Sequence, residues 1–262
     1  MARRIIDAGF STKLWARRSE SLIPYEESGA GFADSLKALG ESSDFVGICV
    51  FADKDVDEVI DGDGKGVLYG MAPGGVIAIH STISIDCCAR LESLAKSRGI
   101  GLLDAPVSGA RRGAEAGTLC IMTGGEREVF EKAAPVFESY GRTIELAGPI
   151  GSGQVMKTLV NMALFSHLAI ARTAASVAEK LGLDVEVAKR VLLNSTSKSF
   201  GMEMLYGVLM KDPEFAAHAV TMQVKDIRLF QEICRNRDVE RTLLDALAEQ
   251  SSNETAALTK KF

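Results

Sequence analysis

Three short segments carry the residues able to do chemistry. In "GPIGSGQVMKTLVN" a glycine-rich entry leads into a helical pattern with Lys157 and Asn161 four residues apart. Residues at i and i+4 share a helix face, so Asn161 is spaced to hold the lysine by a hydrogen bond. A lysine partly withdrawn from water loses stabilisation of its charge and can exchange a proton near neutrality, which suits acid/base work. The alternative is an ordinary solvated helix lysine. In "DAPVSGARRGAEAGTL" a strand ends in a Ser-Gly turn, and a Gly/Ala-rich bend leads back into a strand. That turn is expected to place the Ser108 hydroxyl and the N–H groups of Gly109 and Ala110 outside the carboxyl end of a sheet, where α/β folds bind ligands. Converging donors suit a carboxylate, although a bare Ser-Gly pair is otherwise a plain surface loop. In "MQVKDIRLF", Lys225 and Asp226 sit among apolar residues on a helix; alone they read as a surface ion pair worth ~0 to 1 kcal/mol.

The elements that must position these residues follow from periodicity. From residue 12 to about 146, short apolar runs alternate with helical stretches, the pattern of βαβ units and a parallel sheet. Strands are expected at Thr12 to Trp15, Phe45 to Phe51, Val76 to His80, Gly101 to Leu103, Leu119 to Met122 and Thr143 to Leu146. Helices are expected at Ser84 to Ser97, with Ser84 as N-cap, and at Glu126 to Phe137. After Gly153 a pattern without Pro or Gly runs from Gln154 to Leu181. As one helix it would span about 42 Å, more than a small domain needs for its own core. Further helical segments lie near Asp184 to Leu193, Met202 to Met210, Val220 to Arg235 and Thr242 to Glu249, and the tail "SSNETAALTKKF" is polar enough to fray.

Composition narrows the class of protein. The 262 residues are 47% hydrophobic and 25% charged, as in an ordinary globular chain. A net charge of −5 argues against a nucleic-acid footprint and for a small-molecule partner. No apolar run reaches the ~20 residues of a membrane span, and "MARRIIDAGF" lacks a signal peptide's apolar core, so a cytoplasmic home is expected. Cys49, Cys87, Cys88, Cys120 and Cys234 lack paired zinc spacing and read as reduced thiols. His80, His167 and His218 form no HxxxH or HExxH arrangement, and no metal site is expected.

The three segments, in this order and with "MAPGGVIAIHSTIS" and "LLDAPVSG", resemble the β-hydroxyacid dehydrogenase superfamily. That group includes 3-hydroxyisobutyrate dehydrogenase, tartronate semialdehyde reductase and the succinic semialdehyde/glyoxylate reductases. The resemblance runs from about Ala2 to Arg235. It implies an α/β fold: a Rossmann-like doubly wound sheet over residues 1–150, then an all-α substrate and dimerisation domain over 151–262, entered through a long interdomain helix. It implies a hydride transfer between a nicotinamide cofactor and a small 3-hydroxy acid or its semialdehyde or oxo partner. Lys157 then matches the general acid/base, and Asn161 the second Asn of "KxxNN". Ser108, Gly109 and Ala110 match the substrate-carboxylate loop, Thr82 a residue near nicotinamide and substrate, and Lys225 a lysine that closes over the cofactor. A homodimer or higher homo-oligomer is implied. Arg17 matches the arginine of the family's "NRT", and with Arg18 it makes basic the position where an acid would pair with the ribose of NAD. NADP is therefore expected over NAD.

The sequence also departs from the family. The family's first strand and its G-x-G-x-x-G lie before "MARRIIDAGF", so the sheet is expected to be N-terminally truncated and the cofactor poorly held. Gly29 to Gly31 follow no apolar strand and open no helix. Val160 replaces the first Asn of "KxxNN", Ala110 replaces the second glycine of "SGG", and Arg111 and Arg112 add charge. After about Arg237 the family pattern ends. A rival reading is a non-catalytic dimerising or ligand-binding relative that has lost cofactor binding. An imine reductase shares the architecture but usually carries another residue at the Lys157 position.

Overall fold

The computed structural model describes residues 1–259. It divides into two compact units, residues 1–157 and residues 158 onward.

The first unit opens with α1 (Ala2–Asp7), β1 (Lys13–Leu14), β2 (Gly31–Phe32) and α2 (Leu36–Glu41). Alternating elements follow: β3 (Phe45–Ile48), α3 (Asp53–Ile60), β4 (Val76–Ile79), α4 (Ile85–Lys96), β5 (Gly101–Asp104) and β6 (Val107–Ser108). The series closes with α5 (Ala110–Ala116), β7 (Leu119–Gly124), α6 (Arg127–Phe137) and β8 (Gly141–Gly148). β3, β4 and β5 are parallel neighbours. Strand β4 explains why its sequence is a continuous apolar run: Ile77 and Ile79 pack into one core, with Val56 and Leu91 of α3 and α4. Val76 and Ala78 pack into another, with Ala133 and Phe137 of α6. A strand covered on both faces has no polar side to alternate with.

Three sequence expectations are corrected here. The sheet is mixed, because β7 runs antiparallel to both β5 and β6 and only β8 is parallel to it. The strand expected at Thr12–Trp15 exists as β1 but pairs with β2 in a separate two-stranded sheet, leaving β3 at an edge of the six-stranded one. The Gly/Ala-rich "bend" after Ser108 is the helix α5, which a positive-φ Gly117 ends (φ 68°).

The helix α7 (Ser152–Lys180), 29 residues long, starts in the first unit and runs on into the second. The second unit continues with α8 (Val185–Leu193), α9 (Phe200–Met204), a π-helical turn at Leu205–Leu209, α10 (Pro213–Arg235) and α11 (Leu243–Thr259). Its core holds Met162 and Phe165 of α7, Leu205 and Tyr206 of the π turn, and Ile227 and Phe230 of α10. The tail expected to fray is helical to Thr259, because Ser251 and Thr255 are buried and the Thr255 hydroxyl donates to Ser251 O at 2.8 Å. Residues 260–262 lie outside the described residues.

Candidate active site

The first turn of α7 is fastened to the carboxyl ends of the strands by a carboxylate. Asp104, fully buried at the end of β5, accepts the Gly151 N–H on Oδ1 at 2.7 Å and the Gln154 N–H on Oδ2 at 2.8 Å. These are N–H groups that a helix start cannot satisfy internally. Burial pushes the Asp104 carboxyl up to about 6, against the downward pull of those N–H bonds. The glycines of "GPIGSG" act through space here: a Cβ on Gly153 would lie 2.4 Å from Met122 O and 2.7 Å from Asp104 Oδ2. Close approach of helix to strand ends accounts for that glycine. Lys157 follows on α7, half-buried.

The turn after β4 carries Thr82, also half-buried, between two anchored neighbours. Gln154 Nε2 donates to Ser81 O at 2.9 Å and Gln154 Oε1 accepts the Ile83 N–H at 3.2 Å. The Ser81 hydroxyl in turn accepts the Val50 N–H at 2.8 Å. Beneath the turn, His80 is 7% exposed, with Nδ1 2.7 Å from Ala105 O and Nε2 3.0 Å from the Tyr140 hydroxyl. The Ala105 carbonyl can only accept, which makes Nδ1 the donor, and in the neutral ring Nε2 accepts from the Tyr140 hydroxyl. Burial pushes its pKa down to about 4. The unfolded chain therefore binds a proton at His80 that the native state refuses between about pH 4 and 6.5, and the stability this residue contributes is lost as pH falls through that window. Compared with His80→Gln, the parent should gain about 3 kcal/mol of stability as pH rises from 4 to 6.5. Urea unfolding at both values checks this, and a pH-independent difference would refute it.

Ser108 sits on β6 opposite Cys120, in the same antiparallel register along β7 that pairs Asp104 with Gly124. The chain then leaves the sheet through Gly109 (φ 129°) and Ala110 (φ 52°). Both residues are exposed, and Ser108 is half-buried. Ala110 thus holds a left-handed conformation suited to glycine, at a strain of about 1 to 2 kcal/mol.

In the second unit, Asn161 Nδ2 donates to Asp226 Oδ2 at 2.7 Å, and Lys225 Nζ lies 3.4 Å from Asp226 Oδ1. The alternative reading of Lys225 and Asp226 as a surface ion pair does not hold, since the Asp226 side chain is only 3% exposed. A buried carboxylate between an amide and an ammonium is a polar network rather than a solvated pair. Asp104 and Gln154 were not singled out from sequence, and Asp226 was noted only as the neighbour of Lys225. For Asp104 the signal was present, an acid closing the apolar run "GLLD".

The residues expected to hold a dinucleotide fit it unevenly. Arg17 is exposed, with Nη2 3.0 Å from Asp55 Oδ1 and 2.9 Å from Glu58 Oε2, so a 2′-phosphate would have to share it with two carboxylates. Arg18 is exposed beside it. At the N-terminus of α3, Asp55 accepts the Ala52 N–H at 3.1 Å, and at that of α4 the Ser84 N–H lies 3.3 Å from Asp53. Carboxylates occupy the positions an anionic ligand would need. Gly29 to Gly31 form a turn into β2 and not into a helix. Among the described residues, neither α3, capped by Ala52, nor α4, capped by Ser84, is opened by a glycine turn.

Comparison with known proteins agrees with this architecture. Residues 1–148 match the family model of the NAD binding domain of 6-phosphogluconate dehydrogenase. Residues 151–261 match that of the NAD-binding domain of NADP-dependent 3-hydroxyisobutyrate dehydrogenase. The chain is similar to 3-hydroxyisobutyrate dehydrogenase of Pseudomonas aeruginosa, 32% identical over 265 residues that cover 100% of this chain and 86% of the relative. It is also similar to an NAD-dependent L-serine dehydrogenase of the same organism, 31% identical over 88% of this chain and 80% of the relative. The crystal structure of 3-hydroxyisobutyrate dehydrogenase from Salmonella typhimurium shares the fold with a TM-score of 0.80 at 22% identity, covering 100% of this chain and 94% of the other. Sheet, helical unit and family models define a nicotinamide-dependent oxidoreductase. The chain belongs to the β-hydroxyacid dehydrogenase superfamily.

Proposed function

We propose that the protein transfers a hydride between a nicotinamide cofactor, NADP in preference to NAD, and a small 3-hydroxy acid or its semialdehyde or oxo partner. The observation that carries this reading is the fastening of α7, three residues before Lys157, to the turn that bears Thr82. Lys157 gives a proton to the carbonyl oxygen in reduction and takes the hydroxyl proton in oxidation. Asn161, itself held by Asp226, orients the lysine from the next helical turn. Ser108 with the amides of Gly109 and Ala110 receives the carboxylate. Thr82 borders nicotinamide and substrate, Lys225 closes over the cofactor, and Arg17 and Arg18 take the 2′-phosphate. When bound, the nicotinamide supplies or accepts the hydride. Residues 1–150 serve as the cofactor domain and 151–262 as the substrate and dimerisation domain, in the cytoplasm.

A second reading, a ligand-binding relative without cofactor, is favoured by the carboxylates at the starts of α3 and α4. Isothermal titration separates the two. NADPH should bind weakly, yet more tightly than NADH; absence of heat with either, while a small hydroxy acid still binds, would favour the second reading.

The proposed dimer rests on the apolar face of α7, α8 and α11. Ile170, Val177, Leu181, Leu183, Val187 and Val191, each 45% to 73% exposed, line a groove of about 890 Å³ there. A contiguous exposed apolar face of this kind marks an interface. Light scattering should give at least twice the 28.0 kDa chain mass at micromolar concentration; a clean monomer would exclude the dimer or any higher homo-oligomer.

A further inference from the structure

We infer that Gln154 is a positioning residue that sets Lys157 by locking the Thr82 turn to the start of α7; this rests on Lys157 being the acid/base group. Gln154 is fully buried, and each end of its amide is used on the main chain on one side of Thr82: Nε2 on Ser81 O and Oε1 on the Ile83 N–H. Its own N–H is held by Asp104. One residue therefore ties together β5, the Thr82 turn and α7. A buried amide is costly unless both ends are bonded, and a site that needed only volume would be filled as well by methionine. Lys157 lies three residues on, about 4.5 Å along the axis and on a neighbouring helix face. A change in how the first turn meets the Thr82 loop is thereby transmitted to the ammonium, and displacements of about 1 Å can cost ~10²-fold in rate.

The test compares Gln154→Met, which keeps the volume and removes both bonds, with the parent in turnover of 3-hydroxyisobutyrate. Gln154→Met should lower kcat about 10- to 10²-fold with KM for the acid within about threefold, and this loss should vanish in a Lys157→Ala background. An undiminished loss in that background, or a kcat within about threefold of the parent, would overturn the inference. Failure of the acid/base reading shows separately, as parent-like turnover of Lys157→Ala with Gln154 intact. If Gln154→Met does not fold, Gln154→Glu, which keeps one acceptor, is read by acetic anhydride labelling and mass spectrometry, which need no turnover. Lys157 should then label at a rate changed about threefold or more relative to the exposed Lys96. A parent-like ratio would count against the inference.

Discussion

Replacing Lys157 by alanine should lower turnover by about 10²- to 10⁴-fold, the usual contribution of general acid/base catalysis. Lys157 is half-buried on α7, just beyond a turn fixed by Asp104 and Gln154, so its alkyl stem starts from a rigid helix. Alanine is the best helix former, and the substitution leaves the buried bonds of Asp104 and Gln154 in place. The loss should therefore fall on kcat, with cofactor affinity retained. Turnover within about threefold of the parent would remove Lys157 from the reaction.

Ser108→Ala should weaken binding of acid substrates by about 1.5 to 3 kcal/mol, the range for a hydrogen bond to a charged group. That corresponds to roughly 10- to 150-fold in affinity. The backbone at this position is held by the β6–β7 register, so the substitution removes a hydroxyl without moving the turn. Methyl esters, which lack the charge, should lose less. Equal losses for acid and ester would detach Ser108 from carboxylate binding.

What could be read from sequence, and what could not, follows from how each element is stabilised. β4 and α7 were readable because burial on both faces and a long helical period leave strong patterns over "VIAI" and residues 154–181. The reversed direction of β7 leaves no trace, since strand period is the same in either direction. β2 and β6 have two residues each, too few to show a pattern. The start of α10 at Pro213 reads as a break, although a proline at the first helical position needs no N–H partner and Asp212 caps the Phe215 N–H at 2.9 Å. Around the candidate site, Lys157 and Ser108 stand out in the sequence because their motifs are contiguous. The role of Gln154 and the bond between Asp226 and Asn161 were missed because Ser81 lies 73 residues from Gln154 and Asn161 65 residues from Asp226.

The most direct test of the account follows the absorbance of reduced nicotinamide when the purified protein is mixed with NADP and either 3-hydroxyisobutyrate or L-serine. NADP should be reduced in an acid-dependent way, faster than NAD, and the reduction nearly abolished by Lys157→Ala. No reduction of either cofactor by any small 3-hydroxy acid, under conditions where NADPH binds, would contradict it.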